Sequence, residues 1–396
     1  MRKIAATYVF PGNQPPLKNG ILTFGDDGFL LKIEQQQNLA EQHGLEFYSG
    51  ILTPGFVNAH CHLELSHLEA KIEEKTGIGG FVGKINQLRN FDFGDTGKIM
   101  QQADRKMWAS GISAVGDISN STLSIETKLK SKIDYHTFVE TFGFHPSRAD
   151  KAFDYALFVH QQISALNLKS SVVPHSPYSV SQQLFEKVRK HAIENRSVLS
   201  MHNQESRSEA EFFETGTGGI SDHIAGNLGI DTSHWKPTGK SSLISVLPFL
   251  PAENPLLLVH NTFTSEADIA ILFENRSREN TFFVLCPNSN LYIENALPPL
   301  GLFRKHGLNI CLGTDSLASN HRLSVLDEMK TLQFSFEEIA LAELVEWATL
   351  NGAKALGVDK VIGSFEIGKK PGVNLITGID FKNMKLTEIS KVKRLI

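Results

Sequence analysis

The apolar positions of this chain gather into short runs, and several runs stop at a histidine or an aspartate. In chain order these are ILTPGFVNAHCH, ending in His60 and His62, then SSVVPH (His175), SVLSMH (His202), LLLVH (His260) and LNICLGTD (Asp315). Short apolar runs bounded by turn formers read as strands buried on both faces. The predicted strands are FVNAHCH at 56–62, SAVGDIS at 113–119, YHTFVETF at 135–142, SSVVPH at 170–175, SVLSMH at 197–202, LLLVH at 256–260, TFFVLCP at 281–287 and LNICLGTD at 308–315. The third also alternates, as an edge strand would. Helical stretches lie between most of them, among them KIMQQADRKMWAS, ADKAFDYALFVHQQISAL and SQQLFEKVRKHAIEN. After the last strand, 339–356 reads as a strong amphipathic helix or helix pair. Strand–helix alternation with eight strands predicts an α/β fold, a parallel (β/α)8 TIM-like barrel with its polar strand ends pooled at one mouth.

The two ends of the chain have a different texture. Residues 1 to about 52 read as short alternating strands punctuated by Pro and by Gly25-Asp26-Asp27-Gly28, and the tail from Gly363 has the same character. The expected organisation is therefore 1–52 plus 363–396 as a small β-sandwich, with 53–362 as the catalytic barrel.

Composition narrows the partners. A net charge of −4, from 39 basic and 43 acidic residues, offers no global basic field for nucleic acid or anionic membrane. Cys61, Cys286 and Cys311 form no closely spaced framework, so reduced thiols are expected. No stretch near the N-terminus has the length of a signal sequence, and no run approaches the roughly 20 apolar residues of a spanning helix. The expectation is a soluble cytoplasmic protein acting on a small molecule.

His60 and His62 stand two apart on one strand, so both side chains project to one face and can grip one cation. Neighbouring histidines are often mere surface residues, but here an apolar run precedes them. His202 closes the fifth strand, with Glu205 three residues on: an imidazole to hold an ion and a carboxylate to shuttle protons. Asp315 can serve as a fourth ligand and as a base toward water, or simply cap the next helix. Bound water titrates near pH 7 rather than 15.7, which is the use of such an ion. His260 could be a further ligand, a group polarising water or substrate, or a buried structural histidine. His175 could contact substrate or cap a Pro-flanked turn.

These residues resemble the amidohydrolase superfamily, in its mononuclear cytosine-deaminase-like branch of aminohydrolases and chlorohydrolases. The likeness runs through PGFVNAHCHLE, PHSPYSVS, HNQESRSEAEFFETGTG, LVHNTF, CPNSNLYI and GTDSLASN in order, and through the late GSFEIGKKPGVNLI. The resemblance implies His60, His62, His202 and Asp315 as ligands of one divalent ion per chain, Zn2+ first with Fe2+ as the alternative. It implies Glu205 as the acid/base and His260 as the histidine bonded to the nucleophilic water or the substrate. His175 on the fourth strand matches a substrate-contacting histidine, and the lack of a lysine there argues for a single metal. Within the branch, HCHLELSHL followed by GGFVGKINQLR is most similar to the aminodeoxyfutalosine deaminases. Glu64 then becomes a candidate substrate contact or, equally, a solvated or helix-capping glutamate. Asn290 and Ser319 join the substrate-binding candidates. The chain departs from the usual pattern at Asn203 and Gln204 and at Gly372-Val373-Asn374.

The implied function is hydrolytic removal of an exocyclic amine from a purine-like heterocycle, with ammonia as product and a homodimer as the expected assembly. The alternative keeps the site and changes the bond, to a cyclic amide or a carbon–halogen bond. A catalytically silent binding barrel fits less well, because such relatives usually lose ligands.

Overall fold

The computed structural model describes residues 1–36, 44–88, 91 and 94–396. Eight strands punctuate its middle: β1 (Phe56–Cys61), β2 (Ile112–Ser119), β3 (Asp134–Thr141), β4 (Lys169–Pro174), β5 (Leu199–Asn203), β6 (Leu256–His260), β7 (Thr281–Leu285) and β8 (Asn309–Leu312). They form two parallel sheets, ordered β1-β2-β3-β4 and β5-β6-β7-β8. Every residue of β1, β5, β6 and β7 is buried, which is why these strands read as unbroken apolar runs and not as alternating ones.

The two sheets meet at both edges. Between β4 and β5, His202 N donates to His175 O at 2.9 Å. Between β8 and β1, Thr314 N and Asp315 N both donate to His60 O, at 3.0 and 3.1 Å. That second seam is tight: a Cβ on Gly313 would lie 2.8 Å from the His60 Cβ, so only glycine lets the backbones approach.

The last strand is shorter than the sequence predicts. β8 ends at Leu312, and the chain turns through Gly313 to a left-handed Asp315 with φ of 55°. The turn brings both Thr314 and Asp315 amides onto one carbonyl, which a strand continuing to 315 would not do.

Helices at Thr96–Ala109, Ala149–Ser164 and Gln182–Asn195 fall on the expected segments. The first is capped by Asp95, whose carboxylate accepts from Lys98 N at 3.0 Å, and the third ends in left-handed Arg196. The predicted 339–356 helix is Leu341–Glu346, a π-turn over Trp347–Asn351 and Gly352–Ala355.

Among the described residues the two chain ends share one seven-stranded sheet. Its order is Lys385–Arg394, Asn374–Asp380, Leu45–Thr53, Arg2–Val9, Gly20–Phe24 and Leu30–Gln35, with Leu17–Lys18 beside Arg2–Val9. N- and C-terminal segments join where Asn374 pairs with Thr53 and Ile376 with Ile51. One apolar cluster, including Ile4, Leu22, Phe24, Leu52 and Leu375, lies within this part, while Ile51 and Ile376 belong to the central core. Among the described residues no helix is long and apolar enough to cross a membrane. Cys61, Cys286 and Cys311 are buried free thiols.

Candidate metal centre

The ends of β1, β5 and β8 bring four donors together. His62 Nε2 lies 3.1 Å from His60 Nε2 and 3.3 Å from His202 Nε2. Asp315 Oδ1 stands 3.4 Å from His62 Nε2 and 3.6 Å from His60 Nε2. All four side chains are buried. Asp315 is held in place on its other oxygen, where Oδ2 accepts from Ser289 and Ser319 hydroxyls, each at 2.6 Å.

This donor set fits a metal ion. A tetrahedral centre with bonds of about 2.0–2.1 Å has donor–donor edges of about 3.3 Å, close to the His62–His60, His62–His202 and His62–Asp315 separations. The tautomers point the same way. His202 Nδ1 faces two acceptors, His175 O at 3.0 Å and a Glu140 carboxylate oxygen at 3.3 Å, so its proton sits on Nδ1. As a metal ligand the ring would keep that proton and present its Nε2 lone pair to the ion beside the Nε2 atoms of His60 and His62; without an ion Nε2 can carry a second proton, shared with His62 across 3.3 Å. Burial holds His60 and His62 below the ordinary imidazole range. Burial also lowers His202, but the hydrogen bond and charge of Glu140 outweigh it and raise the group to about 9.

Glu205 and His260 flank the cluster. His260 Nε2 lies 3.5 Å from Glu205 Oε1, and both side chains are nearly inaccessible. His260 Nδ1 bonds Asn290 Oδ1 at 2.8 Å, which leaves Nε2 facing inward without a hydrogen-bond partner. Burial pushes the Glu205 carboxyl up to about 8 and pulls His260 down to about 4. Without a metal ion, burial thus favours the protonated form of Glu205 and the neutral form of His260 at neutral pH.

The structure also places the remaining candidates. His175 is partly buried, with Nδ1 2.8 Å from Ser179 Oγ and its ring 4.4 Å from that of Phe142. Glu64 accepts from Asn120 N at 2.9 Å and from Ser121 Oγ at 2.8 Å, gripping the loop after β2. Ser319 holds Asp315, and Asn290 holds His260 while its Nδ2 stays buried and unpartnered. Asn203 and Gln204, where the chain departs from the usual pattern, are buried and knit the loops after β5 and β6. Asn203 Nδ2 donates to Asn261 Oδ1 at 3.0 Å, and Thr264 Oγ1 donates to Gln204 Oε1 at 2.7 Å.

Sequence reasoning missed three buried carboxylates around this centre. Glu140, on β3, faces His202. Glu209 accepts the backbone N–H groups of Gln204 and Glu205, at 3.0 and 3.1 Å, and so fixes the turn that carries Glu205. Its signal was present as Ser206-x-x-Glu209, a helix-start pattern, and Ser206 Oγ does accept from Glu209 N. Glu328 accepts from Asn288 N at 2.9 Å and Asn320 Nδ2 at 2.7 Å, tying together the loops after β7 and β8.

Residues 51–394 match the model of the Amidohydrolase family. An adenosine deaminase of Helicobacter pylori is 28% identical over 335 residues, covering 83% of this chain and 79% of that protein. An aminodeoxyfutalosine deaminase of Nitratiruptor sp. is 28% identical over 353 residues, covering 87% and 82%. In three dimensions the chain superposes on Helicobacter pylori aminofutalosine deaminase in complex with methylthio-coformycin, with a TM-score of 0.84, 24% identity and full coverage of both chains. The strands and their seams thus belong to a known fold of TIM-barrel type, and the chain is a member of the amidohydrolase family.

Proposed function

We propose that this protein is a metal-dependent hydrolytic deaminase that removes an exocyclic amine from a purine-like nucleoside and releases ammonia. The observation that carries the reading is the meeting of His60, His62, His202 and Asp315 at ligand spacing, with a protonated Glu205 and a neutral His260 beside them. In this reading the eight strands close into one barrel, residues 53–362. The described parts of 1–52 and 363–396 make a small β-domain built on the sheet they share.

The four donors would hold one divalent ion, zinc first and iron second, since three imidazoles and a carboxylate suit either. Such an ion supplies Lewis acidity that makes water nucleophilic at neutral pH. The chain's own residues do the proton work. Glu205 gives its carboxyl proton to the ring nitrogen next to the amine-bearing carbon, which makes that carbon electrophilic. His260 Nε2 accepts a hydrogen bond from the attacking water and aims it, while Asn290 keeps the ring from turning. Water's proton passes to Glu205 and on to the departing amine, so R–NH2 and H2O become R–OH, or its keto tautomer, and NH3.

Among amines, aminodeoxyfutalosine and adenosine-like thioethers are the substrates we place first, following the relatives' activities. His175 beside Phe142 and the spare Nδ2 of Asn290 are the contacts we assign to the heterocycle. Glu64 and Ser319 act through the groups they hold. Incubating the metal-loaded protein with aminopurine nucleosides and measuring ammonia tests the reading. No ammonia from any of them would refute it.

A further inference from the structure

Glu140 is a buried carboxylate, 6% exposed, near the end of β3, and the mechanism above does not use it. One of its oxygens lies 3.3 Å from His202 Nδ1, and the other accepts from Asn120 Nδ2 at 3.3 Å. With His175 and His202 it forms a second group whose donor atoms all lie within 4.8 Å of one another. Such a group could in principle hold a cation of its own. The chemistry of His202 argues against that. A second ion would need Nδ1 as well as Nε2, leaving one imidazole deprotonated at both nitrogens and costing the hydrogen bond to His175 O. The group is better satisfied when Nδ1 keeps its proton and shares it between the carbonyl and the carboxylate.

We infer that Glu140 is a positioning residue: it holds the His202 ring in the tautomer and orientation that aims Nε2 at the metal, and strengthens that nitrogen as a donor. A carboxylate behind a ligating histidine does both, and losing such a partner typically weakens metal binding about 10–100-fold. The His175 carbonyl alone could fix the tautomer, but it is neutral. Glu140 adds the negative charge, and Asn120 ties that carboxylate to the loop gripped by Glu64. A link thus runs from the loop after β2 to the metal ligand on β5.

The inference rests on His202 being a metal ligand, and the test keeps the two apart. Wild-type protein and the variants Glu140→Gln and Glu140→Asp are stripped of metal, and zinc affinity is measured by competition with a chromogenic chelator. Unfolding temperature is followed with and without zinc. One tight ion in wild type and none in His202→Ala upholds the ligand reading independently. Glu140→Gln is then expected to fold without metal but to unfold at a somewhat lower temperature than wild type, having lost its pairing with His202, to bind zinc at least about tenfold more weakly, and to show a smaller zinc-induced rise in unfolding temperature. Glu140→Asp, which keeps the charge, should fall between. Wild-type affinity in Glu140→Gln overturns the inference, because the carbonyl would then suffice. Two ions in wild type with one lost in Glu140→Gln overturns it too, by making Glu140 a ligand. Failure of both variants to fold without metal would mark the residue as a packing element and also overturn it.

Discussion

Glu205 and His260 face each other across 3.5 Å, and burial displaces their proton affinities in opposite directions, to about 8 and about 4. Two neighbouring titratable groups pushed apart in this way divide the labour of acid and base. Glu205 enters the reaction protonated and His260 enters it neutral. The expected kcat/KM profile is therefore flat through neutral pH and falls as pH rises through about 8, where the carboxyl loses its proton. A rise across that range would reverse the assignment.

The same displacement has a consequence for stability. A carboxyl raised by burial contributes stability fully below the unfolded value near 4.5 and loses it as pH climbs through about 8. Glu205→Gln removes that loss. The metal-free variant should match or exceed wild type in unfolding temperature at pH 9, and the difference should shrink at pH 6. Thermal scans at the two pH values check it.

Glu205→Gln also separates proton shuttle from ligand. It preserves shape without proton transfer, so metal content should hold while turnover falls at least about a hundredfold. Metal loss in this variant, by elemental analysis, would make the carboxylate a ligand.

Asn290 orients His260 through a 2.8 Å hydrogen bond. Asn290→Ala should leave metal content unchanged and lower kcat by about ten- to a hundredfold, the usual cost of freeing an active imidazole from its partner. A change confined to KM would instead show that Asn290 serves the substrate alone.

Much of this site could be read from the chain because its residues end apolar runs. His60, His62, His202 and His260 lie at strand ends, where local pattern alone marks them. Asp315 was visible as a residue but not in its backbone, since the turn after Leu312 depends on a seam with His60. Glu140 was hidden for a different reason. Within YHTFVETF it is one polar residue among several, and only the fold brings its partners, His202 on β5 and Asn120 after β2, against it. Glu209 carried a helix-start signal, yet its carboxylate reaches past Ser206 to Gln204 and Glu205, a choice that local pattern does not specify. The terminal sheet had the right alternation, but the pairing of Asn374 with Thr53 joins residues far apart in the chain.

Metal dependence is the next expectation. His60→Ala removes one of four donors at the mouth without touching the packed strand core, so far-UV circular dichroism should be unchanged while the ion is lost. Wild type should carry about one divalent ion per chain. Two would contradict the mononuclear site.

The most direct test of the account is ammonia release, measured on metal-loaded wild type against a panel of adenine nucleosides, guanine, cytosine, triazines and cyclic amides. The expected result is ammonia from the adenine nucleosides, aminodeoxyfutalosine foremost, abolished by chelation and restored by one equivalent of zinc. Hydrolysis of a cyclic amide or a triazine halide, with no ammonia from any amine, would contradict it.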